Sequence, residues 1–180
     1  PWPCCGGNHQ TLTGLFALCK EQKLKADEIE QVEHIGPNIP CTGALLRSTV
    51  TQGLEGKFTL AYNISAAIID GKVDYETYTD KRAAKGDLQA FMARVKIRRS
   101  DDVALRRAHI ADGNLEARLV VKMRDGRVHD VALGTAHHLT GDAVLDKFRA
   151  NAEATLGRER VALTIELVQR LEKLRDVAEL

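Results

Sequence analysis

Leu115-Glu116-Ala117-Arg118-Leu119-Val120-Val121-Lys122-Met123 is apolar at every odd position. Residues two apart on a strand share a face, so this alternation predicts a strand buried on its odd side. Asp125-Gly126 follows, a pair that tolerates the positive φ of tight turns between antiparallel strands. Arg127 to Leu133 then returns, completing a hairpin. Upstream, Ile29 to Ile35 reads as a strand leading into Gly36-Pro37, and Lys96 to Arg99 as an edge strand. Helical spacing sets Leu12, Leu15, Phe16 and Cys19 on one stripe of a helix over residues 11–24. Residues 57–70 are apolar on nearly all sides (Phe58, Leu60, Ile64, Ile68), the pattern of a buried helix, with Gly71 placed to end it. Shorter helices are expected over 75–79 and 88–95, and residues 38–56, rich in Gly, Thr, Ser and Pro, read as a long loop. Two final helices are expected at 142–156 and 159–177, the second carrying Leu163, Leu167, Leu171, Leu174 and Ala178 on one face. This order lacks regular strand–helix alternation. It predicts an α+β fold, an antiparallel sheet packed with helices. The apolar face of the last helices asks for a partner outside that sheet domain.

A chain of 180 residues can bury one core, or one domain with an appendage. Its formal net charge of +1 creates no global field for nucleic acid or a membrane surface, and 4% aromatic residues is too few for base stacking. No apolar run is long enough for a bilayer, and Pro1-Trp2-Pro3-Cys4-Cys5 is not a secretory leader. Neither nucleic acid nor membrane is therefore expected as a partner. The chain opens without Met, inside a Pro/Cys/Gly-rich loop, and is expected to be a piece of a longer polypeptide. Adjacent Cys4 and Cys5 bridge each other only with strain, and the spacing of Cys19 and Cys41 gives no disulfide framework. A reducing compartment, the cytoplasm, is expected. No C-x-x-C pair supports an iron–sulfur or zinc-ribbon reading.

Three features carry candidate chemistry. Cys4-Cys5-Gly6-Gly7-Asn8-His9 precedes a helix. Glycines there admit close backbone approach, the helix start offers N–H groups, and His9 titrates near neutrality. That loop either holds a carboxylate or phosphate, or is a tight turn with Asn8 as cap and His9 packed. A metal reading would use Cys4, Cys5 and His9 with Cys19 or Cys41, but the ligand spacing is wrong for zinc, and no metal is expected. Tyr62, in the otherwise apolar helix, is either a satisfied core phenol or a donor aimed into a cleft. Lys57, read as lying near that helix's start, opposes the helix dipole and either pairs with Glu55 or meets an anion. His34, His109, His129, the His137-His138 pair, Arg98-Arg99 and Arg106-Arg107 read as isolated or solvated.

PWPCCGGNHQ, TGLEGKFTLAYNISAAIIDGKV, FMARVKI and LDKFRANAEATL stand here in that order. Together they resemble the C-terminal region of the MmgE/PrpD family, which includes 2-methylcitrate dehydratase, cis-aconitate decarboxylase and iminodisuccinate epimerase. The resemblance covers nearly the whole chain. It implies an α+β lid domain over residues 1–135, and C-terminal helices over 136–180 that return to an all-helical domain outside this chain. It also implies a homodimer whose active site lies between lid and helical domain. The family's lid tyrosine falls on Tyr62, and its proline–cysteine–histidine loop on Pro3, Cys4 and His9. The implied activity is dehydration of a small di- or tricarboxylate by acid–base chemistry, without metal or redox cofactor. Decarboxylation, epimerisation and non-catalytic carboxylate binding stay open, as does a redox or zinc protein using Cys4 and Cys5. Tyr62 and His9 are the expected catalytic pair, with Cys4, Cys5, Gly6, Gly7 and Lys57 binding substrate. The family's lysine before the loop would precede Pro1, so the chain by itself is expected to be inactive.

Overall fold

The computed structural model describes residues 1–36, 47–99, 117–134, 139–176 and 178. It divides into two compact units, Trp2–His137 and His138–Leu180.

The hairpin organises the first unit. Strands β3 (Ala117–Met123) and β4 (Val128–Leu133) pair antiparallel, with Lys122 opposite Val128 and Ala117 opposite Leu133. Gly126 takes φ of 90° at the turn, and the Met123 amide donates to the Arg127 carbonyl at 2.8 Å. Ala117, Leu119, Val121 and Met123 are buried, as the alternation requires. Strand β1 (Ile29–Gly36) pairs antiparallel with β3, and β2 (Val95–Arg99) lines the far side of β1, giving the order β2-β1-β3-β4. The fold is α+β, as expected, but β1 and β2 run parallel, so the sheet is mixed. The chain between them crosses over through helices, which delivers β2 in the same direction.

Those helices differ from the expectation at one place that matters. Helix α1 (His9–Gln22) follows a 3-10 turn at Gly6–Asn8 and ends at Lys23 in the left-handed region. The segment read as one buried helix is two: α2 (Gly53–Phe58) and α3 (Leu60–Ile69), separated by Thr59 in extended conformation. Helix α2 thus begins inside the stretch expected to be loop. Its start is fixed by Gln52 and Glu55 as a capping box, the Glu55 carboxylate accepting from the Thr51 amide at 2.8 Å and the Gln52 amide at 3.3 Å. Two glycines of α2 are required by close approach. A Cβ at Gly53 would stand 1.8 Å from the Tyr78 carbonyl oxygen, and one at Gly56 would stand 2.6 Å from the Tyr62 ring. The expected helix at 75–79 is a single 3-10 turn, Glu76–Tyr78. Helices α4 (Asp80–Ala83) and α5 (Gly86–Met92) follow, and α5 stops early enough for Val95 to open β2. Helix α1 packs on α3, β3 and β4, while α3 packs on α5, α2 and β2. Leu12, Leu15, Ile64, Leu88, Val32 and Leu119 form the core between these helices and the sheet.

The second unit contains α6 (Asp142–Leu156), α7 (Arg158–Gln169) and a 3-10 turn at Leu171–Lys173. Helix α7 is shorter than its apolar spacing suggests. Leu167 is buried, but Leu163 and Leu171 are exposed. No described residue of α6 is buried. Cys41, Arg106, Arg107, His109, His137 and His138 lie outside the described residues.

Candidate functional site

The cysteine–glycine loop docks on the end of α2. The Lys57 carbonyl accepts two hydrogen bonds from it, from the Cys5 amide at 2.9 Å and from Asn8 Nδ2 at 3.2 Å. Asn8 is therefore not the helix cap expected of it. Its side chain is buried, with Nδ2 used on the loop's anchorage, and α1 is entered directly from the 3-10 turn. The backbone break at Thr59 makes this possible, because it exposes the Lys57 carbonyl at the end of a short helix. The same break changes the reading of Lys57. It stands in the last turn of α2, where a cation suits the helix dipole. It does not pair with Glu55, whose carboxylate meets Arg47 and Thr51. That environment, chiefly the Thr51 amide and hydroxyl, brings Glu55 down to about 2. The Lys57 ammonium lies instead over two rings, 5.4 Å from the Tyr75 centroid and 5.7 Å from that of Tyr78.

Tyr78 connects the loop to α3. Its hydroxyl donates to Asn63 Oδ1 and lies beside the Cys4 thiol. Asn63 Nδ2 in turn donates to the Gly56 and Thr59 carbonyls, both at 2.8 Å, closing off the end of α2. Burial pushes the Tyr78 phenol far above its ordinary range and raises the Cys4 thiol, while Cys19 is pushed up to about 11 for the same reason. Cys4, Cys5 and Cys19 form no disulfide among the described residues.

Tyr62, expected to face a cleft, is fully buried. Its hydroxyl donates to the Thr77 carbonyl at 2.5 Å, and burial pushes it up to about 12. The helix break accounts for the difference, since α2 folds back with Gly56 flat against the Tyr62 ring. Tyr62 still adjoins the loop cluster, its ring centroid 6.3 Å from that of Tyr78. The His9 ring is half-buried on the first turn of α1 and meets Trp2 edge-on at 5.6 Å, while Trp2 stacks on Phe16 at 5.5 Å. Gly6 and Gly7 are exposed beside it, and neither has positive φ.

The structure thus joins Cys5, Asn8 and Lys57 directly, with Cys4 adjoining them in the same loop, and reaches Tyr62 through Tyr78. Asn8, Asn63, Tyr75 and Tyr78 were not singled out as site residues from sequence. Asn63 had a signal: it is an amide inside an otherwise apolar helix, and a buried amide needs partners. A separate cleft of about 390 Å³ is lined by Asp70, Lys72, Thr77, Lys81, Arg82 and Lys85, among others. Its central Arg82 is already clamped between Asp70 and Asp87, at 2.8 and 2.7 Å. Among the described residues, no group of three or more His, Cys, Asp or Glu could hold a metal ion, and no helix is long and apolar enough to cross a membrane.

No curated protein matches the chain significantly. A sequence model described as MmgE/PrpD C-terminal domain matches residues 2–173, nearly the full length, and on that match the chain belongs to the MmgE/PrpD family as its C-terminal domain.

Proposed function

We propose that the full-length protein is a lyase resembling 2-methylcitrate dehydratase. In this reading it eliminates water from a small di- or tricarboxylate, and this chain supplies a carboxylate-binding edge of the active site. The observation that supports it best is the Lys57 junction: an ammonium on aromatic faces, with no ion pair among the described residues, beside a loop pinned to its own carbonyl. Removing a proton next to a carboxylate builds enolate-like charge, and a cation already in place stabilises that charge without reorganisation. Lys57 takes a substrate carboxylate, while the Cys4–Gly7 turn shapes the wall beside it. His9, half-buried and next to the turn, is the acid–base group. Tyr62 is kept neutral by burial, which suits a proton donor rather than a base. Its hydroxyl is held by Thr77, so donation to substrate requires that bond to open.

In the same reading residues 1–135 act as the lid, and residues 136–180 pack on an all-helical domain of the same protein. Support for the latter is the absence of buried residues along α6. The protein works as a cytoplasmic homodimer and uses neither metal nor redox cofactor.

Turnover of a tricarboxylate panel by purified full-length protein tests the reading, with products identified by mass. Loss of water is expected. Loss of carbon dioxide would make it a decarboxylase, and inversion without mass change an epimerase. Lys57→Met is expected to raise KM about tenfold, and His9→Ala or Tyr62→Phe to lower kcat by about 10²-fold. An unchanged kcat in Tyr62→Phe removes Tyr62 from the chemistry. Binding without turnover would indicate a carboxylate-binding homologue, and absence of binding ends the proposal.

A further inference from the structure

The rings of Tyr75 and Tyr78 flank a single ammonium. Tyr78 is buried and fixed by Asn63, whereas Tyr75 is half exposed. The two differ in origin as well: Tyr78 belongs to the 3-10 turn whose Thr77 carbonyl is held by Tyr62, and Tyr75 lies just before it. An aromatic face attracts a cation through its quadrupole and contributes no net charge. A carboxylate partner would hold Lys57 more tightly but would neutralise it. The ring pair restrains the flexible four-carbon stem and leaves the full positive charge available to an incoming anion.

We propose that Tyr75 and Tyr78 are positioning residues that form an aromatic seat for Lys57 and set the affinity of the site for its carboxylate. This rests on the reading of Lys57 as the carboxylate-binding residue. Tyr62 then serves the seat from behind, since its bond to Thr77 fixes the turn that carries the Tyr78 ring.

The test separates the seat from the reading beneath it. The full-length protein is reductively methylated with ¹³C-formaldehyde, and the Lys57 methyl resonance is assigned by its loss in Lys57→Arg. Ring currents from two tyrosines should move that resonance upfield of the other lysines. Tyr75→Leu should remove part of the displacement and raise KM about fivefold, which is about 1 kcal/mol, with kcat unchanged. Tyr78→Phe should keep the displacement, because it keeps the ring, and Tyr78→Leu should reduce it. Should Tyr78→Leu fail to fold, Tyr75→Leu and Tyr78→Phe still decide the matter. A Lys57 resonance that is not displaced, or a KM indifferent to Tyr75→Leu, overturns the seat. Citrate serves as the probe for the underlying reading. If citrate fails to move a displaced Lys57 resonance, the carboxylate reading fails while the seat itself stands as structure.

Discussion

His34 is 5% exposed on β1, between Ile97 of β2 and Leu119 of β3, and its Nδ1 has no hydrogen-bond partner among the described residues. Burial lowers it to about 4 from an ordinary 6.5. The folded state therefore holds His34 neutral in a range where the unfolded chain takes up a proton. Its contribution to stability is complete above about pH 6.5 and is lost as pH falls toward 4. Between pH 7.5 and 4.5 that loss is on the order of 2–3 kcal/mol. Urea unfolding at the two pH values should show it, and His34→Leu should flatten the difference; an equal slope in both proteins would assign it to other groups. At Gly56 the limit is steric. Gly56→Ala drives a methyl into the Tyr62 ring, and because that ring is locked by its hydroxyl it cannot swing aside. A loss of about 1–3 kcal/mol is expected, typical of overpacking. Denaturant titration of the variant would measure it, and an unchanged midpoint would show that the ring can yield.

The break between α2 and α3 is the element on which the site depends, and Asn63 is what holds it. Its amide donates to the Gly56 and Thr59 carbonyls, which also accept the Thr59 and Asn63 backbone amides, and its oxygen receives the Tyr78 hydroxyl. Asn63→Leu should strand the buried Tyr78 hydroxyl and cost about 1–3 kcal/mol. The loss should be seen as a lower thermal midpoint, accompanied by increased near-ultraviolet change at the tyrosines; a variant as stable as the parent would mean that water replaces the amide. This break also marks the limit of what was legible in the sequence. Alternation between Ala117 and Met123 specified the hairpin, because strand periodicity and Asp125-Gly126 are both local signals. The run from Lys57 to Asp70 looked continuous, because hydropathy does not register a backbone turn made by Thr59 and paid for by a side chain four residues on. The docking of Cys5 and Asn8 on the Lys57 carbonyl was invisible for a related reason: backbone acceptors have no sequence signature. Lys57 itself was singled out, with Glu55 or an anion as the alternatives, and the structure removes the Glu55 pairing. Tyr75 and Tyr78 read as part of an ordinary short helix, since nothing local distinguishes a ring that packs from one that carries a cation.

At the scale of the molecule, the two units differ in how they are held. The first has a continuous core through α1, α3 and the sheet, whereas the second exposes Val144, Leu156, Leu163 and Val168. Amide exchange should follow that contrast. In the 180-residue chain alone, amides of β1, β3 and α3 should exchange slowest, and those of α6 and α7 within minutes. In the full-length protein α6 and α7 should become protected; equal protection of both units in the short chain would mean that the helix pair is stable without a partner.

Strand β1 has its neighbours at great separation along the chain. Ile29 to Gly36 waits for Val95 on one side and for Ala117 on the other. During synthesis this central strand leaves the ribosome about sixty residues before either flank exists. Its bare edges are then open to pairing with other nascent chains until both flanks arrive.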